Sequence, residues 1–352
     1  MAKRRLGSWF LMFLLLLGTA VGYLYYVNVL AFGNQPLASD APREVIVEPG
    51  DGFTVVLSKL RAAGISEGSD WQWRLLGKLS GNASKIQVGE YEIKPDATPN
   101  SLLAKMARGD VVQRRFTVIP GRNFRELRAL LQADQQLDDE IATMSDAEVM
   151  ATLGRPRVSP EGRFLPETYA YTRGTTDLQI LERAMKAMDK QLDASWTGRD
   201  PGLPLKDPDQ LLTLASIVEK ETGLAAERPQ IAGVFVRRLQ KGMLLQTDPT
   251  VIYGMGSRYG GNIRKSDLLA DTPYNTYTRA GLPPTPIAMP GVAALEAVAN
   301  PAPGEALYFV AIGDGSGRHL FARTLAEHQA NVGRYLRNYR AARTADPATQ
   351  AR

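Results

Sequence analysis

The 352-residue sequence predicts an α+β protein: a single N-terminal transmembrane helix, a βααβ subdomain and a mixed α/β domain. Three observations predict it. Leu6 to Val27 is an almost uninterrupted apolar run of about 22 residues, roughly 33 Å as a helix and enough to cross a bilayer core. Behind it, strand-like runs alternate with amphipathic stretches across Pro-Gly turns. Further on, Asp207 to Gly223 carries a full set of helix start and stop signals.

Taken in order, residues 1–5 form a cytoplasmic tail, because Lys3, Arg4 and Arg5 precede the span and stay inside. The span is expected over 6–30. Its apolar run continues through Leu24, Tyr25 and Tyr26 with no small-residue cleavage site, which favours an uncleaved anchor over a signal peptide. Trp9, Tyr25 and Tyr26 suit interfacial belts. Residues 31–43, with Gly, Asn, Pro, Ser and Asp, read as a short tether. Next come a strand at 44–47, a turn at Pro49–Gly52, helices at 53–63 and 70–79, and a returning strand at 89–93. A helix at 98–107 and a long strand at 111–119 follow. Pro120-Gly121 before Phe124 then echoes Pro49-Gly50 before Phe53, giving two related strand-turn-helix units. The polar stretch 134–153 reads as helical, and Ser159 to Gly162 marks the entrance to the second domain. A Pro/Gly-rich loop at 194–208 leads into the 207–223 helix, with Asp207 as N-cap, Pro208 at N1 and Gly223 as C′ stop. Another helix spans 227–241. Late in the chain, 307–312 and 319–321 flank Gly313-Asp-Gly-Ser-Gly317, a hairpin loop with no P-loop lysine.

Composition narrows the chemistry. Cysteine is absent, which removes disulfides, thiol nucleophiles and cysteine-ligated metals. The net charge is +5 and the pI near 9.3, but Arg334, Arg337, Arg340 and Arg343 read as a solvated basic face, and no nucleic-acid module accompanies them. His319 and His328 are the only histidines and form no HExxH motif, so no metal site is expected. No GxSxG elbow is present. No cofactor is expected.

Glycosidic chemistry needs least: one carboxylic acid beside the scissile oxygen, and either a second carboxylate or a group supplied by the substrate. Glu219 is the residue that fits. On a wheel of about 100° per residue, Leu211, Ala215 and Val218 mark the apolar centre of its helix, and Glu219 falls between Ala215 and Leu212. Desolvation there would favour the neutral acid, as a proton donor near neutral pH requires. The blander alternative is a structural ion pair with Arg228, Arg237 or Arg238. Glu221 lies about 200° round the wheel, so the two carboxylates do not face one sugar together. Gln246 to Gly254 adds a compact polar patch, in which Asp248 taken alone reads as an N-cap, and Tyr274 to Thr278 before Gly281-Leu-Pro-Pro284 is a ring-rich loop suited to a saccharide cleft.

Together, Ala215-Ser-Ile-Val-Glu219-Lys-Glu221-Thr, Glu227-Arg228, Val234 to Leu239, Gln246 to Gly254, Tyr274 to Tyr277, Gly281 to Pro284, Glu161 to Tyr169 and Gly317-Arg-His319 resemble the MltG/YceG family of endolytic murein transglycosylases. The opening Val45 to Asp51 also resembles a LysM wall-binding module. The resemblance implies a LysM-like wall-binding region at 44–115, a connecting strand-helix region at 116–154, a transglycosylase catalytic domain at 155–341 and a flexible tail at 342–352. It implies cleavage of the MurNAc-β-1,4-GlcNAc bond of nascent, uncrosslinked strands without water as acceptor, leaving 1,6-anhydroMurNAc ends and terminating elongation. It makes Glu219 the catalytic acid and gives Glu221, Gln246, Thr247, Asp248, Tyr253, Asn275 and Tyr277 substrate-binding or supporting roles. Arg163 stands where members often carry an aromatic, and Glu167 where aspartate is frequent. The implied setting is the inner (cytoplasmic) membrane, single-pass, with the catalytic domain periplasmic, glycan strands as substrate and penicillin-binding synthases as partners. The alternatives are a lysozyme-like hydrolase and a wall-binding scaffold without turnover.

Overall fold

The computed structural model describes residues 2–37 and 41–345, with side chains over 9–37 and 41–341. All of the expected tail at 342–352, and Arg343 with it, therefore lies outside the described side chains, and 38–40 of the expected tether lie outside the described residues. The fold is mixed α+β, mostly helical with small sheets, in two compact units: Met1–Arg114 with Ala170–Gly174, and Arg115–Tyr169 with Thr175–Arg352.

The first unit begins with α1 (Ala2–Tyr25), which continues through a π turn at Tyr26–Ala31 into a short α2 (Phe32–Asn34). Trp9–Asn34 is long and apolar enough to cross a membrane or act as a signal, with mean hydropathy 2.0. Then follow β1 (Arg43–Val47), α3 (Phe53–Ala62), α4 (Asp70–Ser80), β2 (Gly89–Ile93) and α5 (Pro99–Arg108). The strands pair antiparallel, with Val45 opposite Tyr91 and Arg43 opposite Ile93. Alternation places Val45 and Val47 inward, over Leu57, Leu60, Trp73, Leu76, Leu103 and Met106. Complete capping boxes start α4 at Ser69/Gln72 and α5 at Thr98/Ser101. On β2, buried Glu90 takes two bonds from the Arg114 guanidinium (2.9 and 3.0 Å), which holds its carboxyl below the usual range.

The expected tether takes a different form. Val29, Phe32 and Leu37 are buried in the core of this unit, and the Phe32 ring meets Trp73 edge-on at 5.5 Å. Burying those side chains offsets the entropy a free linker would keep, so the C-terminal end of the apolar helix is part of the unit.

The second unit surrounds four helices: α8 (Asp177–Thr197), α9 (Pro208–Glu221), α10 (Arg228–Gln240) and α13 (Val292–Ala299), with α9 packing on the other three. Before them come β3 (Arg114–Thr117), α6 (Phe124–Ala133), α7 (Asp146–Thr152) and β4 (Thr168–Tyr171). Between α10 and α13 lie α11 (Asp248–Met255) and α12 (Lys265–Leu269). β5 (Tyr308–Ala311) and β6 (His319–Ala322) form the expected hairpin ahead of α14 (Leu325–Ala345). Within the second unit, the Val118 N–H donates to the Glu167 carbonyl at 3.0 Å.

Several expectations shift. The stretch 134–153 is helical only at α7, because α6 ends at Asp134 and Asp134 accepts the Gln136 N–H to start a turn. α8 is absent from the expected elements and takes Ala194 to Thr197, the first four residues of the expected 194–208 loop, although its Thr176/Gln179 capping box and apolar Ile180, Leu181, Ala184, Met188 and Leu192 mark it. α9 starts as expected, with Asp207 accepting the Gln210 N–H at 2.8 Å. Its end differs: Thr222 leaves in extended geometry and accepts the Leu224 N–H, so Gly223 is not a left-handed stop. Asp248 is the first residue of α11, after Thr247 at the cap position.

Candidate active site

The site is built at the end of α9. Leu211 through Val218 are all buried, so this helix is sheathed on every side rather than along one stripe. Buried Ser216 donates to the Thr213 carbonyl and accepts the Ile287 N–H at 3.0 Å, tying the 286–291 segment across the helix. That segment and the Pro120-Gly121 turn exchange two backbone bonds: Gly121 N–H to Met289 O at 2.9 Å and Met289 N–H to Arg122 O at 2.8 Å. Gly121 has φ +74°, which favours glycine at the turn.

Glu219 emerges from this sheath with its side chain only 6% exposed. One oxygen accepts from Arg228 Nη2 at 3.1 Å and the other from the Gly291 N–H, the N-cap of α13, at 3.0 Å. The blander reading thus names one partner correctly: Arg228 pairs with Glu219, whereas Arg237 and Arg238 bond to backbone carbonyls elsewhere. Arg228 is itself positioned. It begins α10 directly after Glu227, which accepts both the backbone N–H (3.0 Å) and the ring Nδ1 (2.8 Å) contact of His319 on β6. The late Gly317-Arg-His319 motif therefore braces the turn between α9 and α10. The Arg228 Nε is buried without a hydrogen-bond partner among the described residues.

A second group forms on the other side of the helix end. The Thr247 hydroxyl donates to Glu221, and the Tyr277 hydroxyl donates to Asp248 at 2.6 Å. Burial pushes the Glu221 carboxyl up to about 7; the Thr247 bond opposes this and the Asp248 charge adds to it. Gln246 sits at φ +52°, unusual outside glycine, with its N–H on the Thr276 carbonyl (3.1 Å) and its side chain reached by Arg238 (3.4 Å). Asn275 is buried, and its amide donates to the carbonyls of Asp267, Leu268 and Ala270, which fixes the shape of the loop.

Tyr253 belongs to a third group. Its hydroxyl donates at 3.0 Å to Glu161, which also accepts the Phe124 N–H at 3.1 Å, and its ring meets Tyr274 edge-on at 4.8 Å. Burial pushes the Glu161 carboxyl up to about 7 against those two donors. These residues line an open cavity of about 540 Å³ that Gly121, Lys220, Ile252 and Tyr259 also bound. Glu219 is not on its wall, but Gly121 and Lys220 are, and a Cβ placed on Gly121 would lie 4.0 Å from Glu219 Cγ. Glu221, Thr247, Asp248 and Tyr277 are thus brought together, with Gln246 and Asn275 shaping the same loops, while Glu219 and Tyr253 have separate partners. Arg228, Glu161 and Gly291 were not singled out in sequence as site residues. Glu161 and Arg228 stood inside recognised motifs; Gly291 carried no signal.

The YceG-like family profile matches residues 45–334. The endolytic murein transglycosylase of Bacillus subtilis strain 168 is 29% identical over 323 residues, 86% of this chain and 88% of its own length. That of Streptococcus pneumoniae D39 is 28% identical over 366 residues, covering 93% of this chain and 64% of the relative. A 2.6 Å crystal structure of a yceG-like protein from Listeria monocytogenes aligns with TM-score 0.53 at 27% identity, over 83% of this chain and 99% of that one.

Proposed function

Because the chain belongs to the YceG-like family, we propose that it is an endolytic murein transglycosylase that cuts the MurNAc-β-1,4-GlcNAc bond of nascent glycan and leaves 1,6-anhydroMurNAc ends. The observation that carries this reading is the family match through the segment that holds Glu219, together with the emergence of that carboxylate beside an open, tyrosine-lined cavity. In the proposed mechanism Glu219 donates a proton to the glycosidic oxygen as an oxocarbenium-like centre develops. The resulting carboxylate then takes the proton of the muramoyl C6 hydroxyl as that oxygen closes the ring. The attacking hydroxyl belongs to the same sugar, so its high effective concentration replaces an enzyme nucleophile.

Arg228 and the Gly291 N–H each donate to one Glu219 oxygen, which leaves each oxygen a further lone pair for the donated proton. Glu221, Thr247, Asp248 and Tyr277 then hold the loop that flanks the strand, and Gln246, Tyr253 and Asn275 support it.

The proposed setting is a single pass through the cytoplasmic membrane with the amino terminus inside, and termination of elongation beside a penicillin-binding synthase. Digestion of uncrosslinked glycan tests the reaction. Anhydro ends from the wild type and none from Glu219→Gln support it; reducing ends indicate a lysozyme-like hydrolase, and binding without cleavage indicates a scaffold.

A further inference from the structure

We infer that the outer face of α4 is a membrane-surface contact, resting on an anionic leaflet beside the point where the apolar N-terminal helix leaves the bilayer. This rests on the proposal that Trp9–Asn34 spans a membrane. Those 26 residues rise about 39 Å as a helix, more than the hydrocarbon thickness of about 30 Å, so the last turns lie among the headgroups. Exposed Tyr25 and Tyr26 fit that level.

α4 packs against the Tyr26–Ala31 turn. Its buried side holds Trp73, Leu76 and Gly77, with Trp73 on the Phe32 ring and Leu76 against Gly33. Gly68, just ahead of the helix, lies so close to Phe32 that a Cβ there would overlap its ring. The helix is therefore held beside the exit of the span, at headgroup level.

The opposite side is unlike an ordinary solvated face. Trp71 and Leu79, within about 80° of each other on the wheel, remain 59% and 55% exposed, with Leu75 between them partly buried against the core of the unit. Arg74 and Lys78 run along one edge of this stripe, both exposed and neither in an ion pair among the described residues. The only acid of the helix, Asp70, is paired with Arg61 at 3.0 Å. An apolar stripe containing tryptophan beside unpaired cations is the pattern of a helix lying in the interface of an anionic bilayer. Continuity with the span and this charge pattern select the lipid surface as the occupant.

The absence of cysteine makes the test direct. Single cysteines are introduced in the full chain as Trp71→Cys, Leu79→Cys, Lys94→Cys and Leu17→Cys, spin-labelled, and reconstituted into vesicles of phosphatidylethanolamine and phosphatidylglycerol. Oxygen and a water-soluble nickel chelate then report depth. The expected result is several-fold higher oxygen-over-nickel accessibility at positions 71 and 79 than at 94, reduced when Arg74→Glu and Lys78→Glu are combined. Water-like behaviour at 71 and 79 with a buried label at 17 overturns the surface contact and leaves the membrane anchor standing. A water-exposed label at 17 defeats the anchor and this inference with it. Protection at 71 and 79 that disappears on dilution with unlabelled chain assigns the stripe to a second copy and also overturns the proposal.

Discussion

Glu219 stands near the end of a sheathed helix, and the two donors on it set the predictions at this scale. Arg228→Met leaves a buried carboxylate with one amide, and breaking such a pair costs about 3 kcal/mol. Adding Glu219→Gln to Arg228→Met restores much of that loss, read as coupling in a double-mutant cycle by urea unfolding. Additive losses would show that the pair is not energetically linked. Glu161 gives a pH prediction. Its folded carboxyl is raised from 4.5 to about 7, so below pH 4.5 the folded and unfolded chains are both protonated and no penalty exists. Between 4.5 and about 7 the unfolded chain has released a proton the folded chain retains, and stability falls as pH rises; above that it stays low. Glu161→Gln should therefore stabilise by about 2–3 kcal/mol at pH 8 and not at pH 4, measured by thermal unfolding at both values. The burial of Glu161 was not legible in sequence, because it comes from α6 and the 249–253 segment closing over it.

Among elements, helix starts were the most legible feature. Asp207, Ser69 and Thr98 all cap as their residue types require, since a short side-chain oxygen next to unpaired amides acts locally. Asp207→Ala should cost about 1 kcal/mol, seen as a lowered unfolding midpoint, with Asp207→Ser close to wild type. Helix ends and loops were less legible. Gly223 has the right residue type for a stop, yet Thr222 ends the helix first, because the chain must turn at once into the Ala225–Glu227 turn that His319 braces from far along the sequence. α13 carried no polar start signal at Gly291, and its N-cap amide is nevertheless what reaches Glu219. Such long-range partners leave no local periodicity to read.

Across the whole molecule, the apolar amino-terminal helix followed from composition and patterning, whereas the junction between helix and first unit did not. A Gly-, Pro- and Ser-containing stretch reads as a linker by residue type, but Phe32 and Leu37 are core residues. Phe32→Ala should destabilise the first unit by about 3 kcal/mol in detergent-solubilised full-length protein, followed by fluorescence unfolding. A free linker would tolerate the change with no measurable shift.

The central claim is that Glu219 shuttles one proton to open a glycosidic bond and close an intramolecular ether. Mass analysis of the new ends made from uncrosslinked glycan by wild type and Glu219→Gln tests it most directly. The account predicts anhydro ends, lighter by one water than reducing ends, from the wild type alone, with the variant folded and inert. Anhydro ends released by the folded variant at the wild-type rate would contradict it.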